Sequence, residues 1–178
     1  MNKEKLRISK IDAARRQLDC AIELWFLDKD EASIHTLAAA AYQIIHDLKE
    51  HRGITRDLLY DSAMIKDEYR SKWINVLKRP VNFFKHADND PEGTIEFSPF
   101  GNIVFIMFSA GGLRLLGEQS SYAVNALILW LTVHEPDLIT AEYRKLFADR
   151  IGVQSLQDVR AIPKADFFKT YIHTSTSP

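Results

Sequence analysis

Apolar positions recur at spacings of three and four through the first third of the chain. Ile11, Ala14, Leu18, Ile22 and Trp25 form one seam, and Ile34, Leu37, Ala38, Ala41, Ile45 and Leu48 form a second. Seams of this period predict two amphipathic helices. The first starts at Ser9, with Asp12 three positions on as an approximate capping box. Asp28-Lys29-Asp30 interrupts the pattern, and Gly53 stops the second helix. Two seamed helices joined by a few polar residues predict an antiparallel hairpin. The alanine run at 38–41 leaves room for another helix to approach closely at that level.

Later elements are read the same way. Thr55 is placed to cap a short helix carrying Leu58, Leu59 and Met64. A stronger helix spans about 67–77, with Trp73, Val76 and Leu77 as its apolar contacts. Pro80 lacks the amide that a continuing helix needs, so a kink or fresh start is expected there, with Phe83, Phe84 and His86 on the resumed turn. Residues 88–93 (Asp-Asn-Asp-Pro-Glu-Gly) read as a loop, and a short extended hairpin is expected near 94–100. The run 103–108 suits strand by its Val and Ile content. Its apolar continuation through Leu113, Leu115 and Leu116, and the lack of a partner strand, favour helix; Gly111-Gly112 argues the other way. Ser120 or Ser121 caps a helix reaching Val133, with Val124, Leu127, Ile128 and Leu131 buried. Glu135-Pro136 opens a last amphipathic helix carrying Leu138, Ile139, Tyr143, Leu146 and Phe147. The reading is therefore all-α: a helical bundle of about six or seven helices in one domain over 1–152. Residues 153–178 are expected to be an irregular, partly disordered extension, because the pattern decays from Gly152.

Composition narrows this only a little. The chain has 178 residues, 46% apolar and 26% charged, with a formal charge of −1. That balance marks neither a nucleic-acid nor a membrane binder overall, and no DNA-binding signature is present. Apolar runs fall short of the roughly 20 residues a membrane-spanning helix needs. Met1 to Ser9 has no secretory core segment, and the single Cys20 suits a reducing compartment, so a cytoplasmic location is expected. Cys20 itself is expected to pack inside the first helix.

Candidate chemistry is sparse. His35 and His46 are eleven positions apart on one helix, roughly 16 Å of rise, too far to share an ion. There is no His-x-x-x-His or Glu-x-x-His, and no phosphate-loop, nucleophile-elbow or dinucleotide motif. No metal and no cofactor is therefore expected. What remains is the stretch 79–88. In a helix Arg79 and His86 would project from one face, about 10 Å apart along the axis. An arginine can hold a phosphate through two hydrogen bonds, and a histidine can exchange a proton with a ribose hydroxyl or a leaving oxygen. Asn82, one turn before His86, can orient the ring or a substrate oxygen, and Lys85 adds positive potential. A purely structural role fits the same residues, with Asn82 and His86 bonded locally and Phe83 or Phe84 plugging the core.

An N-terminal hairpin with an alanine-rich second helix, then an arginine and a histidine on a later helix, resembles the HEPN superfamily over about residues 9–134. Its members are all-helical bundles marked by an arginine, four to six intervening residues and a histidine; Arg79 and His86 have six between them. Many members are metal-independent endoribonucleases whose site forms across a homodimer, and others are inactive binding or dimerisation modules. The resemblance implies that Arg79 holds the scissile phosphate, that His86 serves proton transfer, and that the protein is a homodimer acting on RNA. Active members commonly carry a polar residue directly after the arginine, where this chain has Pro80. The string from Asn82 to His86 followed by Ala-Asp-Asn-Asp-Pro also resembles a group of uncharacterised bacterial helical proteins, which implies no activity. The alternative is a non-catalytic helical interaction module.

Overall fold

A computed structural model describes residues 5–88, 90–141, 144–145 and 153–176. Seven α-helices are present among them: α1 (Lys10–Phe26), α2 (Glu31–His51), α3 (Asp67–Phe83), α4 (Phe100–Leu115), α5 (Tyr122–His134), α6 (Val153–Ala161) and α7 (Lys164–Thr176). A 3₁₀ turn at Pro136–Leu138 follows α5. No strand occurs among the described residues, so the fold is all-α and the hairpin expected near 94–100 does not form. The chain divides into two compact units, Met1–Ala21 with Asp30–Gln119, and Ile22–Lys29 with Ser120–Pro178.

In the first unit α1 begins as its sequence dictates. The Asp12 carboxylate accepts from the Ser9 amide, and the Ser9 hydroxyl accepts from the Asp12 amide, each at 3.1 Å. That reciprocal pair satisfies two amides that a helix start would otherwise leave unbonded. Ala14, Leu18 and Ala21 are buried along the seam, whereas Cys20 is exposed, contrary to the expected packing. Its position lies six residues beyond Ala14, off the inward face.

Helix α2 is capped by the Asp30 side chain, which accepts from the Ser33 amide at 2.7 Å. Its main partner within the unit is α4, and Gly112 shows how closely the two approach. A methyl group built there would stand 2.4 Å from Cγ2 of Ile45, a contact that real Cβ atoms essentially never make. Gly111, by contrast, has nothing within 4 Å of such a methyl. The glycine pair that argued against a helix is thus one close-packing position and one free position. The buried side chains Ile34, Tyr42, Ile45, Phe105 and Ile106 fill the interior. Each contributes about 1.5–3 kcal/mol of transfer free energy.

No helix forms between Thr55 and Lys66. Leu58, Leu59 and Tyr60 are buried as expected for apolar residues, but Met64 is 92% exposed. Side chains compete for the backbone donors that a helix would use. Asp57 accepts from the Ala63 amide at 2.6 Å, and Asp61 accepts from the Leu58 amide at 2.8 Å. The segment is pinned by the Tyr42 hydroxyl, which accepts from the Tyr60 amide, and by Trp73 Nε1 and Arg70, which donate to the carbonyls of Leu59 and Ser62.

Helix α3 also departs from expectation: it runs through Pro80 without a break and stops at Phe83. Pro80 leaves the Val76 carbonyl without its helical amide. Val76 is 60% exposed, so water can serve that carbonyl.

In the second unit, Ser121 caps α5 by accepting from the Val124 amide at 3.2 Å. Phe26 stacks on Phe168 with centroids 4.6 Å apart, and Trp130 and Phe167 pack edge-on or tilted beside it. Lys164 lies 3.7 Å over the Trp25 ring and donates to Asp28 at 2.8 Å. Residues beyond 152, expected to be irregular, are helical in α6 and α7. Pro163 precedes the helical run, and Phe167, Phe168 and Tyr171 supply an apolar stripe short enough to escape a longer periodicity window. Of the last amphipathic helix expected after Pro136, Leu138 is in the 3₁₀ turn and Ile139 is extended. Tyr143, Leu146 and Phe147 lie outside the described residues.

Candidate functional site

The candidate residues lie around the C-terminal end of α3. Beyond Phe83, the amide of Phe84 bonds the Pro80 carbonyl, and the amides of Lys85 and His86 bond the Asn82 carbonyl. His86 therefore leaves from a turn that prolongs α3, with no kink or fresh start at Pro80 before it. The two adjacent aromatics part company there. Both are half-buried; the Phe84 ring lies edge-on to His35 at 5.8 Å, while Phe83 lines the neighbouring groove.

An open groove of about 790 Å³ results. From α3 it is lined by Asn75, Lys78, Arg79, Asn82 and Phe83; from the turn and loop, by His86, Asp88, Asp90, Thr94 and Ile95. Arg79, Asn82 and His86 are all exposed and border this one space. Lys85 is exposed but does not line it. Among the described residues, the side chains of Arg79 and His86 have no hydrogen bond or ion pair. Lys78 lies 5.0 Å from the centre of the Tyr60 ring, held there by a cation–π contact.

The two contributing segments differ in charge. Residues 66–86 hold six Lys or Arg against two Asp or Glu, and residues 87–96 hold four Asp or Glu and no Lys or Arg. The near-zero total of the chain conceals this division.

Two other polar clusters of the unit, around His35 and around Lys49, are bonded within the fold. His35, 1% exposed, lies edge-on to Phe84, Phe97 and Phe105. Its Nδ1 is 2.8 Å from Oδ1 of Asn102, whose amide donates to the Glu31 carbonyl and carboxylate at 3.1 and 2.6 Å. Because that amide is already a donor to Glu31, the Asn102 oxygen accepts, and Nδ1 carries the proton. Burial lowers the His35 pKa from its ordinary value, against a smaller upward pull from Asn102.

Lys49, 2% exposed, is bonded to Asp61 and, at 2.8 Å, to Glu50. Burial alone would lower the ammonium, but the two carboxylates outweigh it and raise the Lys49 pKa. Asp61 is held below its ordinary value, with burial opposing and the Lys49 and Leu58 bonds prevailing. His46, Glu50 and Asp61 bring one ligand atom each within 4.8 Å of one another. The Lys49 ammonium already occupies both carboxylates, so a divalent cation would have to displace it. Sequence spacing missed this cluster because Asp61 comes from the non-periodic segment. The one available signal was Lys49 falling four residues after Ile45 on the apolar seam.

No helix among the described residues is long and apolar enough to cross a membrane. No protein-family model matches the chain, and no curated protein or solved structure matches it either.

Proposed function

We propose that this protein is a HEPN-like homodimer that binds RNA in the α3 groove and cleaves it without a metal. The observation that carries the reading is that Arg79 and His86 are exposed on one groove with no internal partner among the described residues. A charged side chain bonded inside the fold is committed; one left free beside a concave surface is available to a ligand. Arg79 holds the phosphate through paired N–H donors. His86 takes the proton of the ribose 2′-hydroxyl as that oxygen attacks phosphorus, and the P–O5′ bond breaks as solvent water gives a proton to the leaving 5′ oxygen, the imidazolium then releasing its proton to the hydroxide left behind. The products are a 2′,3′-cyclic phosphate and a free 5′-hydroxyl. Asn82 orients the ring or a phosphate oxygen, and Lys85 adds positive potential from outside the groove.

The test is incubation of 5′-labelled single-stranded RNA with the protein in excess EDTA. Cleavage is expected, and Arg79→Ala and His86→Ala are each expected to lower its rate at least a hundredfold. Absence of cleavage, or full activity in His86→Ala, overturns the catalytic assignment. The second reading, a non-catalytic interaction module, is favoured by Tyr69 and Val76. These are 54% and 60% exposed and stand seven residues apart on the same helix, two turns along one face.

A further inference from the structure

We infer that Asp88 and Asp90 select the base of the bound strand, and that the base preferred is guanine; this rests on the reading of the groove as an RNA site. The groove is lined by Lys78 and Arg79 from α3 and by Asp88 and Asp90 from the following loop. Among the described residues, neither carboxylate forms an ion pair or a side-chain hydrogen bond, with those cations or with any other group. Opposite charges that share one open space and remain apart suit a ligand carrying an anion at one end and hydrogen-bond donors at the other. A nucleotide has that character. Its phosphate suits the guanidinium and the ammonium, and it would be repelled by two carboxylates unless they met a donor-rich group.

Single-stranded bases are read on their Watson–Crick edges, and an ionised carboxylate offers only acceptors. Uracil presents one N–H between two carbonyl oxygens, which face a carboxylate unfavourably. Adenine and cytosine each present one amino group beside a ring nitrogen acceptor. Guanine alone presents two adjacent donors, N1–H and the 2-amino group, matching both oxygens of one carboxylate. Phe83, and Ile95 on the loop side, provide apolar surface in the same groove for the faces of the ring. Stacking on an aromatic side chain is indifferent to base identity. Selectivity therefore falls to the two aspartates.

The experiment measures binding of labelled 2′-O-methyl hexamers, which cannot be cleaved, by fluorescence anisotropy in EDTA. The strands are oligouridine and the same strand with one central guanine, adenine or cytosine. The guanine strand is expected to bind at least tenfold more tightly than oligouridine. In Asp88→Asn/Asp90→Asn that preference is expected to fall to within twofold, with oligouridine bound no more weakly than before. Equal binding of all four strands by the natural protein overturns the selection while leaving an RNA site intact. A guanine preference that survives in the double variant overturns it as well. Failure to bind any strand overturns both this inference and the reading on which it rests.

Discussion

Two regions of the first unit use the same kinds of side chain in opposite ways. Around α2 and α4, a histidine and a lysine are sealed from water and bonded to side chains of the fold: His35 to Asn102, and Lys49 to Asp61 and Glu50. At the end of α3, an arginine and a histidine stand in the open with no such bonds among the described residues. Desolvating a polar group is unfavourable unless a partner is supplied. The first set therefore belongs to the folding free energy. The second set contributes little to it and stays exposed at the groove. Residue type alone does not separate the two; burial and partners do.

The largest effect is expected where a buried partner is removed. Asn102→Ala leaves the Nδ1–H of His35 and the Glu31 carboxylate without their bond and should destabilise the protein by about 2–3 kcal/mol. Urea unfolding followed by circular dichroism measures this, and a loss below about 0.5 kcal/mol would break the contrast. Next come the two adjacent glycines of α4. Gly112→Ala drives a methyl against Ile45 Cγ2, close to a stiff β-branched centre, and should cost about 1–3 kcal/mol. Gly111→Ala meets nothing and should stabilise by up to about 1 kcal/mol through helix propensity. The same denaturation series measures both, and equal effects at the two positions would contradict the close α2–α4 approach.

A smaller effect is expected from pH. The folded pKa of His35 is lowered, so the unfolded chain binds the proton more readily. Its contribution is fully present above the unfolded value of about 6.5 and is lost as pH falls below it. His134 in the second unit is lowered as well, first by burial and then by Arg160, and acts in the same direction. Asp61, itself lowered, adds a further loss only as pH falls below about 4. Unfolding midpoints at pH 7.5, 6.5 and 5.5 should fall in that order; a flat profile would contradict the burial of His35. The smallest effect belongs to His86→Ala, which should change stability by less than about 0.5 kcal/mol, because the side chain is exposed and unpartnered. A larger loss in thermal or urea unfolding would move His86 to the structural side of the comparison.

Legibility in the sequence follows the range of the interactions concerned. The Ser9–Asp12 capping box and the Ser121 cap are contacts across three residues, and both are readable as spacing. Arg79 and Asn82 share a face of α3 by their i, i+3 spacing, whereas His86 reaches the groove from the turn beyond the helix, which spacing alone does not place. The path of the loop carrying Asp88 and Asp90 into that groove has no period to read. The same holds for Asp61, which reaches Lys49 from a segment ordered by side-chain bonds to its own backbone. Helix α7 escaped because its apolar stripe is short, and the continuity of α3 through Pro80 escaped because the missing amide falls where water can replace it.

The central claim is that the α3 groove, and no other surface, receives the strand. Amide chemical-shift mapping of the ¹⁵N-labelled protein during titration with a 2′-O-methyl hexamer containing one guanine tests it most directly. Perturbations are expected to concentrate between residues 75 and 95 and to be abolished in Arg79→Ala. Perturbations centred on α5 to α7, or none at saturating strand, would contradict it.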